Sequence, residues 1–101
     1  MSNSDFSFLA TLETVIRERL DNPDSNSYTA SLAASGRQRI AQKVGEEAVE
    51  LALASVVGNQ EEVIDDAADL VNHQLVQLQT QDHELGQGAA RLLERHAGKP
   101  Q

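Results

Sequence analysis

Two short segments of this 101-residue chain repeat one acidic spacing: Glu46-Glu47-Ala48-Val49-Glu50 and Asp65-Asp66-Ala67-Ala68-Asp69. Each puts carboxylates at i, i+1 and i+4. On a helix, residues three and four apart share a face, so each segment projects a cluster of negative charge to one side. Glu47 also falls in the series Ile40, Val44, Glu47, Leu51, Ala54, which is otherwise an apolar core stripe. An acid in such a stripe is costly to bury unless it is paired or holds a metal.

The distribution of charge sharpens this reading. The net charge is -8, and between Val44 and Ala90 there are ten Asp and Glu but no Lys or Arg. Five basic residues lie between Arg17 and Lys43, and three between Arg91 and Lys99. An ordinary solvated helix face interleaves signs so that pairs four apart support one another. This stretch cannot do so within itself. Its carboxylates are therefore well hydrated, paired with distant basic residues, or hold a cation.

The elements that position these acids are helices. The first is predicted from about Ser4 to Leu20, with Phe8, Leu12, Val15 and Leu20 at helical spacing and Asn22-Pro23-Asp24 as its stop. A short helical piece with Tyr28, Leu32 and Ala33 fits before Gly36. A helix from about Arg37 to Val57 follows, with Gly58 as a left-handed cap. Asn59 and Glu62 then read as a capping box. They open a helix to about Gln79, with Ile64, Ala68, Val71, Leu75 and Leu78 as its core stripe. Asp82 reads as the cap of a last helix ending near His96, with Gly86 and Gly88 in its first turns and Gly98 beyond it. No segment alternates with a strand period, so the expected class is all-α: about four helices in a single domain over 1–101.

If the hairpin turn is centred between Gly58 and Asn59, Glu47 and Asp69 lie 11.5 and 10.5 residues from it, and Glu50 and Asp66 lie 8.5 and 7.5. At a rise of about 1.5 Å per residue the two clusters stand level to within roughly 2 Å. Helix axes about 8–10 Å apart let such carboxylates reach one ion between them. Oxygen-only donors select a hard cation, and Mg²⁺ is the usual one where phosphates complete the shell. The alternative is a pair of acidic, solvated helix faces. The absent Lys and Arg, the matched register and the acid in a core stripe favour the metal.

Bulk properties set outer limits. A chain of this size buries only roughly two-thirds of its unfolded surface, so homodimerisation is expected to complete its core. Without cysteine, disulfides and thiolate metal sites are excluded. The acidic balance argues against a broad basic face for nucleic acid or an anionic membrane. The apolar run over Val49–Val57 is too short to span a bilayer. Met1-Ser2-Asn3-Ser4-Asp5 lacks the features of a signal peptide, so a cytoplasmic protein is expected.

Ser27-Tyr28-Thr29, Gly36, Ile40-Ala41-Gln42-Lys43-Val44-Gly45-Glu46-Glu47-Ala48-Val49-Glu50 and Ala67-Ala68-Asp69-Leu70 with His73 resemble phosphoribosyl-ATP pyrophosphatase. The resemblance runs in order from about Phe8 to His96, and Lys-Val-Gly-Glu-Glu with Ala-Asp-Leu is a specific combination. It implies membership of the all-α nucleotide pyrophosphatases related to MazG and dimeric dUTPases. It also implies Mg²⁺-dependent hydrolysis of phosphoribosyl-ATP to phosphoribosyl-AMP and pyrophosphate, in histidine biosynthesis. By this resemblance Glu47, Glu50, Asp66 and Asp69 are the catalytic and metal-binding set, with Glu46 as a further metal ligand. Two positions depart from the pattern. Asp66 stands where Glu is usual, one methylene shorter, and Asn72 where Tyr is frequent. The cyclohydrolase often fused to this domain is not expected within a chain of this length. Other readings are a general nucleoside triphosphate pyrophosphatase of the same fold, or a non-enzymatic helical dimer that binds a metal or a protein.

Several further residues have two readings each. Arg39 and Lys43 lie four apart just before the first acidic segment, suited to phosphate contact or to pairing with Glu46, Glu47 or Glu50. Ser27, Tyr28 and Thr29 are candidates for ribose or phosphate contact, and a capping turn also accounts for Ser27 and Thr29. His73 can orient Asp69 or be a hydrogen-bonded core histidine. Arg19 and Arg95 can neutralise either phosphates or acids.

Overall fold

The hairpin marked by Gly58 and Asn59 is the backbone of the computed structural model, which describes residues 6–22 and 26–98. Its arms are α3 (Arg37–Val57) and α4 (Gln60–Thr80), preceded by α1 (Ser7–Asp21) and α2 (Tyr28–Ala34) and followed by α5 (Leu85–Gly98). Gly58 sits at φ 85, the left-handed conformation that ends α3. The Asn59 side chain then accepts a 3.1 Å bond from the Glu62 backbone N–H, which fixes the start of α4. No strand occurs among the described residues, so the all-α class stands.

The helix count is five rather than about four, because Tyr28–Ala34 is a helix in its own right. Seven residues are too few to sustain a helix by propensity alone. This one is held by the Ser27 hydroxyl, which accepts from the Ala30 N–H at 3.0 Å, and by burial of Ala30 and Leu32. Two boundaries also move. The first described helix begins at Ser7, and the expected start at Ser4 and stop at Pro23-Asp24 lie outside the described residues. The last helix begins at Leu85 and runs on through Gly98. Asp82 is not its cap: it adopts φ 59 and accepts from the Arg17 guanidinium at 3.4 Å. Instead, Glu13 of α1 accepts from the Leu85 N–H at 2.8 Å.

The core lies at the end of the hairpin far from its turn, where Ile16, Leu32, Ile40, Leu75 and Val76 pack together. The expected stripe of α4 is thus buried only in part. Leu75 is buried and Val71 and Leu78 are half-buried, but Ile64 and Ala68 are exposed. Periodicity identified the face correctly, but α1 and α2 cover only the half of it remote from Gly58. In α1, likewise, Ile16 rather than Phe8 is the buried residue. Among the described residues, no helix is long and apolar enough to cross a membrane.

Leu75 is fully enclosed. Leu75→Ala is expected to lower unfolding free energy by about 2–5 kcal/mol, read by urea denaturation at a fixed protein concentration.

Candidate metal centre

Glu47 lies 11 residues before Gly58 and Asp69 lies 11 after it, so an antiparallel hairpin closing there brings the two level. Asp66, one turn from Asp69, shares its face. One carboxylate oxygen from each of Glu47, Asp66 and Asp69 falls within 4.8 Å of the other two. Asp66 takes part despite its shorter side chain. Glu50 stands outside this trio, lining a cleft of about 410 Å³ with Leu53, Ala54, Val57, Glu62 and Asp66. Glu46 also stands apart, accepting from the Gln42 amide at 3.0 Å.

Glu47 is the buried member, Asp66 is half-buried and Asp69 is exposed. A buried carboxylate needs a counter-charge. Lys43 provides one, its Nζ 3.7 Å from Glu47 Oε1 and 3.8 Å from Glu46 Oε1. Of the two readings of Lys43, pairing with the acids is thus what the structure displays. One lysine against five carboxylates leaves a local excess of negative charge. The charge of Glu47, then partial loss of water and the charge of Asp66, hold the Glu50 carboxyl above the usual carboxylate range, against the opposing pull of Lys43. The donors are oxygen alone, converging from two rigid helices, and that fits a hard divalent cation.

His73 is buried behind the trio. Its Nδ1 lies 2.8 Å from the Asp69 backbone carbonyl, which can only accept, so Nδ1 carries the hydrogen. The same nitrogen is 3.8 Å from Glu47 Oε1. In the neutral ring Nε2 then accepts from the Tyr28 hydroxyl at 2.8 Å, and the two rings meet edge to face with centroids 5.7 Å apart. His73 therefore steadies the helix backbone at Asp69 rather than its carboxylate. Tyr28, expected as a substrate contact, is anchored to α4. Ser27 caps α2, Thr29 is half-buried beside it, and Arg39 is exposed one turn before Lys43. The contact between Tyr28 and His73 spans 45 positions and had no local sequence signal.

The chain matches the model of the phosphoribosyl-ATP pyrophosphohydrolase family over residues 9–96. It is 52% identical over 93 residues to the histidine biosynthesis bifunctional protein HisIE of Yersinia pestis, covering 92% of this chain and 46% of that protein. Its likeness to the HisIE of Campylobacter jejuni is 49% over 94 residues, covering 93% and 45%. Against the HisIE of Haemophilus influenzae it is 46% over 95 residues, covering 94% and 43%. The chain thus spans somewhat under half the length of these relatives.

Because Glu50 holds its proton more tightly in the folded chain than in an unfolded one, its contribution to stability is lost as pH rises through the carboxylate range. Glu50→Gln removes that repulsion. In the presence of a chelator it is expected to melt above the parent at neutral pH. The difference should shrink as pH falls toward the ordinary carboxylate range, since the parent carboxyl takes up its proton above that range. Thermal melts of both proteins across this range check the sign.

Proposed function

Because the chain belongs to the phosphoribosyl-ATP pyrophosphohydrolase family, we propose that it hydrolyses phosphoribosyl-ATP to phosphoribosyl-AMP and pyrophosphate, an early step of L-histidine biosynthesis. The observation that carries this for the chain's own residues is the convergence of Glu47, Asp66 and Asp69 within 4.8 Å. These three and Glu50 are the proposed catalytic carboxylates and hold Mg²⁺, with Glu46 at the margin of the set. When bound, Mg²⁺ supplies charge neutralisation at the phosphoryl oxygens and a more acidic water.

The rest of the work falls to positioning, since the chain offers no obvious nucleophile of its own. Glu47 is held by Lys43 from its own helix and flanked by His73 from the facing one. Two rigid helices therefore fix the carboxylates before any substrate arrives. Lys43 and Arg39, one turn apart, are the proposed phosphate contacts on α3. Ser27, Tyr28 and Thr29 at the start of α2 are the proposed contacts for the ribosyl end. The Tyr28 hydroxyl can still accept a bond while it donates to His73.

The same reading makes residues 1–101 a single MazG-like domain that functions as a homodimer. Val49, Leu53 and Val56 recur on one face of α3 and are 58%, 61% and 85% exposed. Ile64 of α4 is 66% exposed. A second copy would cover these residues. A polyanionic nucleotide stays in the compartment where it is made, so the cytoplasm is the proposed place of action, without nucleic-acid or membrane partners.

Pyrophosphate release with Mg²⁺ tests the substrate. The kcat/KM for phosphoribosyl-ATP is expected to exceed those for ATP and dUTP, because the ribosyl group adds binding energy remote from the reacting phosphorus. Comparable values for all three would indicate a general nucleotide pyrophosphatase. Asp69→Asn is expected to lower kcat on the order of 10²-fold or more.

A further inference from the structure

Helix α5 buries none of its residues in its own chain. Yet Leu85, Ala89, Leu92 and His96 recur along one face at helical spacing, the pattern of a helix that packs against something. Leu92 and Leu93 are 57% and 69% exposed. Its first turn is tied to α1 through Glu13, and the residues beyond stand away from the core. Arg91 and Arg95 project one turn apart beside the leucines. Arg91 meets Glu94 of its own helix at 3.9 Å, both side chains being largely exposed. Arg95 reaches no acidic group among the described residues. With Gln74 of α4 and Leu85, Ala89 and Leu92, the two arginines line an open groove of about 500 Å³.

The turn half of the α3–α4 hairpin is the complement of this surface. It exposes Val49, Leu53, Val56, Val57 and Ile64, and it carries carboxylates with no Lys or Arg from Val44 to Ala90. Lys43 lies at the other end of the acid cluster, so a polyphosphate held there meets no cation on its turn side. An apolar and basic helix face suits an apolar and acidic hairpin face. A two-fold axis lets each of two copies offer both.

We propose that α5 of one copy docks on the turn half of the partner's α3–α4 hairpin, where its Arg91 and Arg95 serve as phosphate-binding cations for the partner's carboxylate site. Guanidinium groups bind phosphate oxygens in bidentate fashion. The phosphate role rests on the pyrophosphohydrolase reading, whereas the docking rests on the two surfaces alone.

Co-expression of two differently tagged variants tests it. Glu47→Gln disables the carboxylate set, and Arg91→Ala/Arg95→Ala removes the guanidinium pair. Each homodimer is expected to lose about 10²-fold in kcat/KM. The purified heterodimer combines one intact carboxylate set with arginines from the other copy, and is expected to regain about half the parental rate. If the arginines act within their own chain, the heterodimer contains no intact site and stays as slow as the homodimers. That outcome overturns the proposal, as does parental activity in Arg91→Ala/Arg95→Ala alone. Sedimentation reads the docking without substrate: Arg91→Glu/Arg95→Glu is expected to shift toward monomer at a concentration where the parent is dimeric, and an unchanged dimer overturns the docking. A parent that releases no pyrophosphate overturns the functional reading instead, and sedimentation still decides the surface.

Discussion

Like charges held close together on a rigid hairpin are the constraint on which the rest of this molecule turns. At a separation near 4.8 Å, two full charges in a surface-like medium repel by on the order of 3 kcal/mol. A small domain is stable by only about 5–15 kcal/mol. The fold tolerates Glu47, Asp66 and Asp69 side by side through three local devices. Lys43 pairs with the buried member, Asp69 stays in water, and Glu50, the next acid out, retains its proton more readily than an ordinary carboxylate. Everything that sets the separation lies elsewhere. The left-handed Gly58 and the Asn59 cap fix the register. The core around Leu75 and Val76 anchors the helices at the end away from the turn.

Register was legible because it needs only a helix rise and a turn. Gly58 and Asn59 are local signals, and they sufficed to place Glu47 opposite Asp69. Contacts between distant elements were not legible. Arg17 meets Asp82 across 65 positions, which turns a residue with the look of a helix cap into one side of an ion pair. The seven-residue α2 was visible only as a short piece, since its stability comes from packing and the Ser27 cap rather than from propensity. Periodicity locates the apolar face of α4 but not how far α1 and α2 reach along it, and the core stops short of Ile64 and Ala68. Lys43 was readable as a partner of Glu47 at i+4, and His73 as a neighbour of Asp69. That His73 binds the Asp69 backbone and Tyr28 depended on tertiary placement.

Stability and chemistry are thus segregated along the hairpin. The end remote from the turn is apolar and covered, and the carboxylates occupy the middle. The turn half is acidic and apolar together, left open by the chain's own helices. Between these zones, Tyr28 and His73 link α2 to the helix face that carries Asp69, with the His73 ring against Glu47. The residues proposed for the substrate's ribosyl end and those proposed for the metal are therefore parts of one packed unit.

We propose that Glu47, Asp66 and Asp69 converge on a divalent cation. Anomalous diffraction from crystals grown with Mn²⁺ in place of Mg²⁺ tests this most directly, because it locates the ion independently of activity. The expected result is a strong peak at coordination distance from carboxylate oxygens of all three residues, lost in Glu47→Gln crystals under the same conditions. Peaks confined to other acidic surfaces, with none at these three carboxylates, would contradict it.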